Sequence, residues 1–530
     1  MISCKINRQA CFGLPVLIDN QYNWENGSYI TILKNPHVSS TLFYSEDRWI
    51  CIARILSDSS TQHRTAIKKL TQTGLQEIYV KFSSLEAEGI LIETACGKNG
   101  NTLRIIATNE GSIPIYFSNL KSTIHLDWDF KKICSTMQDL TLDFEYLVKS
   151  TFEHTYTHRT AFQGISMLTA GSACIFSDDT CDYKYLEIDP PTAKDFTNIS
   201  TNEAVSIFNL LLKEKIHSQL SENHLVAIEL SGGLDSSTIA AMYAQCFPHK
   251  KVNTYGIIVS DQTLSKCQQD RRRRIISHIN GNDHNINIID HLPSLTSSAR
   301  DKYYLNSEAY GHAFETIWQR AALDGLNILL SGAGGDELFP QYLDEDFSKD
   351  RLRSFNDQTW DLYTNLLISR LSPKAQDVLD SQLLTCAPKK IVDTGMLLAM
   401  ARRSPLLLQL NLVPIYPFRD SKIIKFCNSL PKNLRLNKNL LTNILNKTIK
   451  TKKFSNYPKE TFMHADEVSL LQQKRYIIDN CNNFRIFDIG LISKMTFMRD
   501  MESINADTPR YVFDYLLNIL SIERFLRAYV

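Results

Sequence analysis

The sequence predicts an α/β chain with a β-rich first domain, a second domain built on a mostly parallel sheet, and a largely helical C-terminal part. Three observations carry this expectation. Short β-branched and aromatic runs between polar turns fill residues 25–190, strand-like and helix-like runs alternate from 203 to 332, and helical patterning dominates beyond 345.

In chain order, the first-domain strands are read at YITIL (29–33), RWICIARIL (48–56), LRIIA (103–107), PIYFS (114–118), STIHLDW (122–128) and SACIFS (172–177). The segment 189–203, DPPTAKDFTNISTNE, is polar and holds Pro190 and Pro191, as a linker would. The domains are therefore placed at 1–190 and 204–530, with 191–203 joining them. A helix at 203–220 leads to a strand at 224–230, the helix SSTIAAMYAQC (236–246), a strand at 252–260 and a helix to 280. A strand at 285–290, a helix at 308–324 and a strand at 327–332 follow.

The bulk composition excludes several classes of function. At 530 residues the chain exceeds one core, and about 150 residues per domain predicts roughly two to four lobes. Lys plus Arg number 58 against 57 for Asp plus Glu, so no net field draws the chain to nucleic acid or an anionic membrane. The N-terminal stretch MISCKINRQACFGLPVL has no signal-peptide pattern, and no apolar run reaches membrane-spanning length. Twelve scattered cysteines without a C-x-x-C pair predict reduced thiols in a cytoplasmic protein.

The most informative stretch is ELSGGLDSST (229–238), which joins a strand to a helix. Such a joint aims free backbone N–H groups and the positive end of a helix dipole at its occupant. Gly232 and Gly233 allow close approach, and Ser231, Ser236, Ser237 and Thr238 add hydroxyl donors. The natural occupant is a phosphate chain. Asp235 would repel that phosphate unless a divalent cation bridges the two, so the loop asks for phosphate and Mg²⁺ together. The G-x-x-x-x-G-K-[ST] pattern of a Walker A loop is absent. A second stretch, LLSGAGGDELF (329–339), again follows a strand and brings Asp336 and Glu337 to its end, where Asp336 can share the metal with Asp235.

These motifs resemble the asparagine synthetase family, in which S-G-G-L-D-S-S and S-G-x-G-[SG]-D-E-x-F occur in this order. VPIYPFRDSKIIKFCNSLPKNLRLNKNLL (413–441) is similar to that family's V-P-F-L-D and K-x-[IL]-L segment, and NKTIKTKKF to the basic stretch after it. In the first domain RWICIARIL, LRIIATNEGSIPIYFS and HRTAFQGISMLTAGS are similar to the glutamine-amidotransferase module, of the N-terminal-nucleophile type. The resemblance implies a pyrophosphate-loop synthetase that cleaves ATP to AMP and pyrophosphate. Ser231, Gly232, Gly233, Asp235, Ser236 and Ser237 would hold pyrophosphate and metal, with Asp336 the second metal ligand. Leu230, Ile257, Ser331 and Gly332 would line the adenosine site, and Lys438 would stabilise charge on the acyl-adenylate and in the tetrahedral transition state.

Two departures narrow the resemblance. Glutamine-using members begin Met-Cys, whereas this chain reads Met1-Ile2-Ser3-Cys4, so the amidotransferase-like domain is expected to be degenerate and to hydrolyse no glutamine. Ala333 stands where asparagine synthetases have Glu and β-lactam synthetases have Tyr, and its methyl group can transfer no proton. With Gly335 in place of Ser, the form S-G-A-G-G-D looks most like the lasso peptide cyclases, which close a macrolactam between an N-terminal amine and an Asp or Glu side chain. That resemblance implies a precursor peptide as substrate and a leader peptidase as partner, with neither nucleic acid nor membrane involved. An ammonia-dependent asparagine synthetase, a β-lactam synthetase and a non-catalytic scaffold stay open as alternatives.

Tyr304, Glu308 and Glu315 precede the second loop and are candidates for a base or for gripping the peptide, against a solvated acidic helix face. The run Arg271 to Arg274 is expected to point all round a helix, without forming a nucleic-acid surface.

Overall fold

A computed structural model of the protein describes residues 1–8, 13–55, 65–83, 87–97, 100–152, 155–177, 180–186, 196, 198–292, 295, 305, 310–339, 357–379, 384, 386–387, 392–449 and 460–530. Residues 2–185 build two seven-stranded sheets. The first runs, in spatial order, Ile165–Leu168, Ile115–Leu120, Thr123–Asp127, Ile2–Asn7, Tyr29–Ile32, Gln21–Asn23 and Val16–Ile18. The second runs Thr180–Tyr185, Ser172–Ser177, Gly100–Ala107, Gly89–Gly97, Arg48–Ile55, Val38–Tyr44 and Thr65–Lys69.

Alternation explains why they stack. In Ile2–Asn7 the side chains of Ile2, Cys4 and Ile6 are buried while Ser3, Lys5 and Asn7 turn outward. They enter one core with Leu42, Cys51 and Ile92 of the second sheet. The outer face of that sheet is covered by Ile78 and Phe82 from the helix Gln72–Ser83, which pack with Ile50, Leu91 and Ile106.

The third sheet is parallel, with strands ordered Gly281–Asn287, Val252–Ile258, Val226–Glu229, Ile328–Leu330 and Val413–Ile415. The first strand in the chain, Val226–Glu229, is central. The sheet then grows outward on one side through the second and third strands, and on the other through the fourth and fifth. The C-terminal ends of Val226–Glu229 and Ile328–Leu330 thus flank the point where the winding reverses, the usual place for a ligand in such sheets.

One expectation is corrected here. The strand read at 285–290 is Gly281–Asn287, and Ile288–His291 turn into a 3₁₀ helix. The apolar trio around Ile288 drew that reading. The true strand is an edge whose partly exposed faces tolerate Asn282 and His284 on one side and Asn285 on the other. Beyond 345 the described residues are largely helical, as expected, and include one short strand, Val413–Ile415, which is buried throughout and has no alternation to betray it. The arginine run does point to both sides of its helix: Arg271 and Arg272 are buried, while Arg273 is exposed and pairs with Asp270.

The helix placed at 203–220 is Thr201–Gln219, capped by Ser200, whose Oγ accepts from Glu203 N at 3.3 Å. The helix Arg510–Tyr529 ties the parts of the fold together, since Phe525 and Tyr529 pack on Phe130 and Phe162 of the first part. Asn518 adds a hydrogen bond to the Thr151 carbonyl at 2.7 Å. Among the described residues no helix is long and apolar enough to cross a membrane.

Candidate active site

The first glycine loop sits at the end of the central strand and caps the helix Leu234–Cys246. Its N-cap residue is Gly233, which has no side chain to satisfy the first-turn amides, so no side-chain cap closes this end. Ser231 and Ser236 brace the loop instead: their hydroxyls lie 3.0 Å apart, and Gly233 N donates to Ser231 Oγ at 3.1 Å. Ser237 is fully buried, and its hydroxyl has no hydrogen-bond partner among the described residues.

The second loop comes close enough to share the site. A Cβ on Gly332 would lie 2.6 Å from Ser236 N and 2.8 Å from the Asp235 carbonyl carbon, so only glycine lets the two loops approach this closely. A Cβ on Gly335 would overlap the Asp235 carboxylate and lie 2.7 Å from Asp235 Cβ. Ser331, which continues the strand, is anchored by its N–H to the Ile415 carbonyl of the fifth strand at 3.0 Å.

Between the loops lies the Lys438 ammonium, which donates to Asp336 Oδ1 at 2.7 Å and to Asp235 Oδ2. Burial opposes its charge, but the two carboxylates outweigh that and raise its pKa above the ordinary lysine value. The backbone bends to deliver it: Asn437 and Lys438 both have φ of 53°, left-handed conformations that cost free energy unless their surroundings enforce them. Two strong ion pairs provide that enforcement.

Of the other residues singled out, Leu230 and Ile257 are both buried at neighbouring strand ends. Their side chains face opposite sides of the sheet, Leu230 toward the helix Leu234–Cys246 and Ile257 toward Trp318. A shared adenosine wall would therefore take main-chain groups from at least one of them. Ala333 packs against the main core. Glu315 accepts from Gln319 on its own helix at 3.0 Å and does not join Asp235 and Asp336. Tyr304 and Glu308 lie outside the described residues, as does the stretch 450–459 that includes most of the basic segment. Cys4 lies between the sheets, where burial pushes its thiol well above the usual range.

Gln268 escaped the sequence reading. It is almost wholly buried, and its amide donates to Ser231 O at 2.9 Å and Ile257 O at 3.0 Å while accepting from Val259 N at 2.9 Å. This one side chain staples the first loop to the neighbouring strand end. A lone glutamine in a polar helical run carries no sequence signal of such a role.

The arrangement fits a phosphate chain with a divalent cation. An uncapped helix end and hydroxyl donors suit the anion, while two carboxylates from adjacent strand ends suit the metal. Among the described residues no group of three or more His, Cys, Asp or Glu side chains is set to hold a metal. A cation here would have to share Asp235 and Asp336 with Lys438, whose ammonium already lies between them, and complete its shell with phosphate oxygens and water, as Mg²⁺ commonly does.

Residues 208–403 match the asparagine synthase family model. The matched span contains both glycine loops, Asp235 and Asp336, and ends before Lys438, whose place beside them is supplied by the fold. No curated protein compared with the chain matches it. Among solved structures the chain is similar to the U34-tRNA thiolase NcsA of Methanococcus maripaludis, at 13% identity and a TM-score of 0.27, covering 59% of this chain and 83% of that one. It is also similar to an NH3-dependent NAD synthetase of Campylobacter jejuni, at 13% identity and a TM-score of 0.20, covering 36% and 100%. A third similarity is to the glutamine phosphoribosylpyrophosphate amidotransferase of B. subtilis, at 10% identity and a TM-score of 0.18, covering 57% and 76%. At TM-scores this low the likeness carries no functional argument.

Proposed function

We propose that the protein forms an amide bond at the expense of ATP and Mg²⁺, and that its reaction is macrolactam closure of a precursor peptide between the N-terminal amine and an Asp or Glu side chain. The observation that carries the reading is the convergence of Lys438 on Asp235 and Asp336 between two glycine loops at the reversal point of a parallel sheet. The match of residues 208–403 to the asparagine synthase family supports the amide-forming class.

ATP would supply activation, turning an unreactive carboxylate into an acyl-adenylate that an amine can attack. The chain's own residues divide the rest of the work. The uncapped end of Leu234–Cys246 and the Ser231 and Ser236 hydroxyls hold the phosphates, and Asp235 and Asp336 hold the metal. Lys438, kept charged by its neighbours, neutralises negative charge as it develops on the reacting carboxyl. Ala333 offers no proton transfer, which suits an α-amino nucleophile with a pKa of about 8 that is partly neutral without help. The burial of Cys4 supports an amine taken from the substrate itself rather than from glutamine.

The test offers ATP, Mg²⁺ and candidate acceptors to the purified protein and follows AMP, pyrophosphate and acceptor mass. AMP and pyrophosphate together with a peptide lighter by one water establish the reading. AMP release driven by aspartate and ammonia, or by a small β-amino acid, moves the substrate to the asparagine synthetase or β-lactam synthetase class. No ATP turnover with any acceptor, with a leader peptidase present, leaves a scaffold.

A further inference from the structure

The proposed chemistry leaves the buried half of the arginine run unused. The helix Gln262–Ile279 lies behind the first glycine loop and turns Gln268, Arg271 and Arg272 inward, at the spacing of one helix face. Arg272 is the structural member, pairing with Asp283 and lying against Gly256, where a Cβ would overlap its guanidinium. Arg271 does something different. It is 4% exposed, its Nε donates to the Gly232 carbonyl at 2.8 Å, and a terminal nitrogen of the same guanidinium pairs with Glu460.

Gly232 has φ of +89°, and a Cβ there would meet Arg272 Cγ at 3.0 Å and Gln268 O at 3.1 Å, so the helix presses directly on this peptide. A trans peptide plane is rigid, with its N–H opposed to its carbonyl. Fixing the Gly232 carbonyl on Arg271 therefore points the Gly233 N–H the other way, toward Ser231 Oγ, which it meets at 3.1 Å. Were this plane to flip, a carbonyl dipole would face the phosphates, and Ser231 Oγ would lose the Gly233 N–H.

We infer that Arg271, held in place by Glu460, is a positioning residue that fixes the Gly232–Gly233 peptide plane, keeping its N–H on Ser231 Oγ and its carbonyl turned back from the phosphate site. The inference rests on the reading of this loop as a phosphate loop. It requires a planar fork that meets a carbonyl and a carboxylate at once, which a lysine ammonium on a flexible stem does not reproduce.

The test uses full-length Arg271→Met, Arg271→Lys, Glu460→Gln and the Met/Gln double variant. Two quantities are read: amide hydrogen exchange across residues 230–236 in the ATP-free protein, and the affinity for a fluorescent ATP analogue with Mg²⁺. Arg271→Met is expected to speed loop exchange and weaken nucleotide binding by about tenfold or more, the scale of one lost charge-assisted hydrogen bond. Arg271→Lys, which keeps a charge opposite Glu460 and so protects folding, is expected to restore little of either. Glu460→Gln should shift both in the same direction by less, and the double variant should be no worse than Arg271→Met, because both act through one guanidinium. Wild-type exchange and affinity in a folded Arg271→Lys protein overturn the inference. Exchange is read without ATP, so it decides the part of Arg271 separately. A wild-type chain that protects the loop and binds no nucleotide overturns the proposed function instead.

Discussion

Lys438 and Asp336 are 102 residues apart in the chain, and in the fold the lysine ammonium donates to the aspartate carboxylate at 2.7 Å. The same ammonium reaches Asp235, so one cation is shared by carboxylates from two adjacent strand ends. Removing it leaves two half-buried negative charges facing each other.

Lys438→Met is therefore expected to lower ATP-dependent AMP release by about 10²–10³-fold, the usual scale for one lost transition-state donor. Steady-state product release with saturating Mg²⁺ checks this. The raised pKa of Lys438 makes a stabilising contribution that is fully present below the unfolded lysine pKa of about 10.4 and is lost as pH rises through the higher folded value. Wild-type stability should thus owe no slope to the lysine below about pH 9 and lose its contribution only above about pH 10, where both carboxylates are ionised with or without it; a Lys438→Met melting series that falls as steeply as wild type above about pH 10 would contradict this.

Gly332→Ala places a Cβ 2.6 Å from Ser236 N, against main chain rather than a movable side-chain tip. The loops must separate, and a destabilisation of about 1–3 kcal/mol is expected with loss of nucleotide binding. Gly335→Ser displaces the Asp235 carboxylate and should raise the Mg²⁺ concentration for half-maximal activity while leaving the melting temperature closer to wild type. Thermal melts and a Mg²⁺ titration of both variants separate the two effects.

Cys4→Ala should cost about 1–2 kcal/mol of stability through the cavity it leaves between the sheets, with no effect on amide formation beyond that. Neither protein should release glutamate from glutamine. A glutaminase activity that disappears in Cys4→Ala would show that the thiol is reached and ionised after all.

Asp466 is buried beside Arg510, and burial, only partly offset by that arginine, raises its pKa to about 6. The folded state then binds a proton more tightly than the unfolded chain, whose aspartate titrates near pH 3.9. The stabilisation from protonation is present below pH 4 and is lost as pH rises through 6, amounting to about 3 kcal/mol. The stability difference between wild type and Asp466→Asn should therefore shift against wild type from pH 4 to 7, and a difference flat with pH would refute the assignment.

Local chemistry made part of this protein legible. Gly232, Gly233 and the hydroxyls around Asp235 announce a strand-to-helix joint without reference to anything distant, because backbone freedom and small donors are properties of the residues themselves. Val413–Ile415 was invisible because three consecutively buried residues show no period, and Gly281–Asn287 was misplaced because an edge strand tolerates polar side chains. Helix phase, which no arginine in a run of four reveals, decided that Arg271 and Arg272 are buried and Arg273 is not.

The sequence by itself determined the alternation of strands and helices, both glycine loops and the carboxylates that close them. Only the tertiary structure decided that Lys438 stands between Asp235 and Asp336, that Gln268 and Arg271 hold the first loop from behind, and that Cys4 is sealed between two sheets. The physical reason is that these contacts join residues far apart in the chain. They depend on the order in which five parallel strands assemble and on which helix face the sheet buries, and no local period in the sequence encodes either.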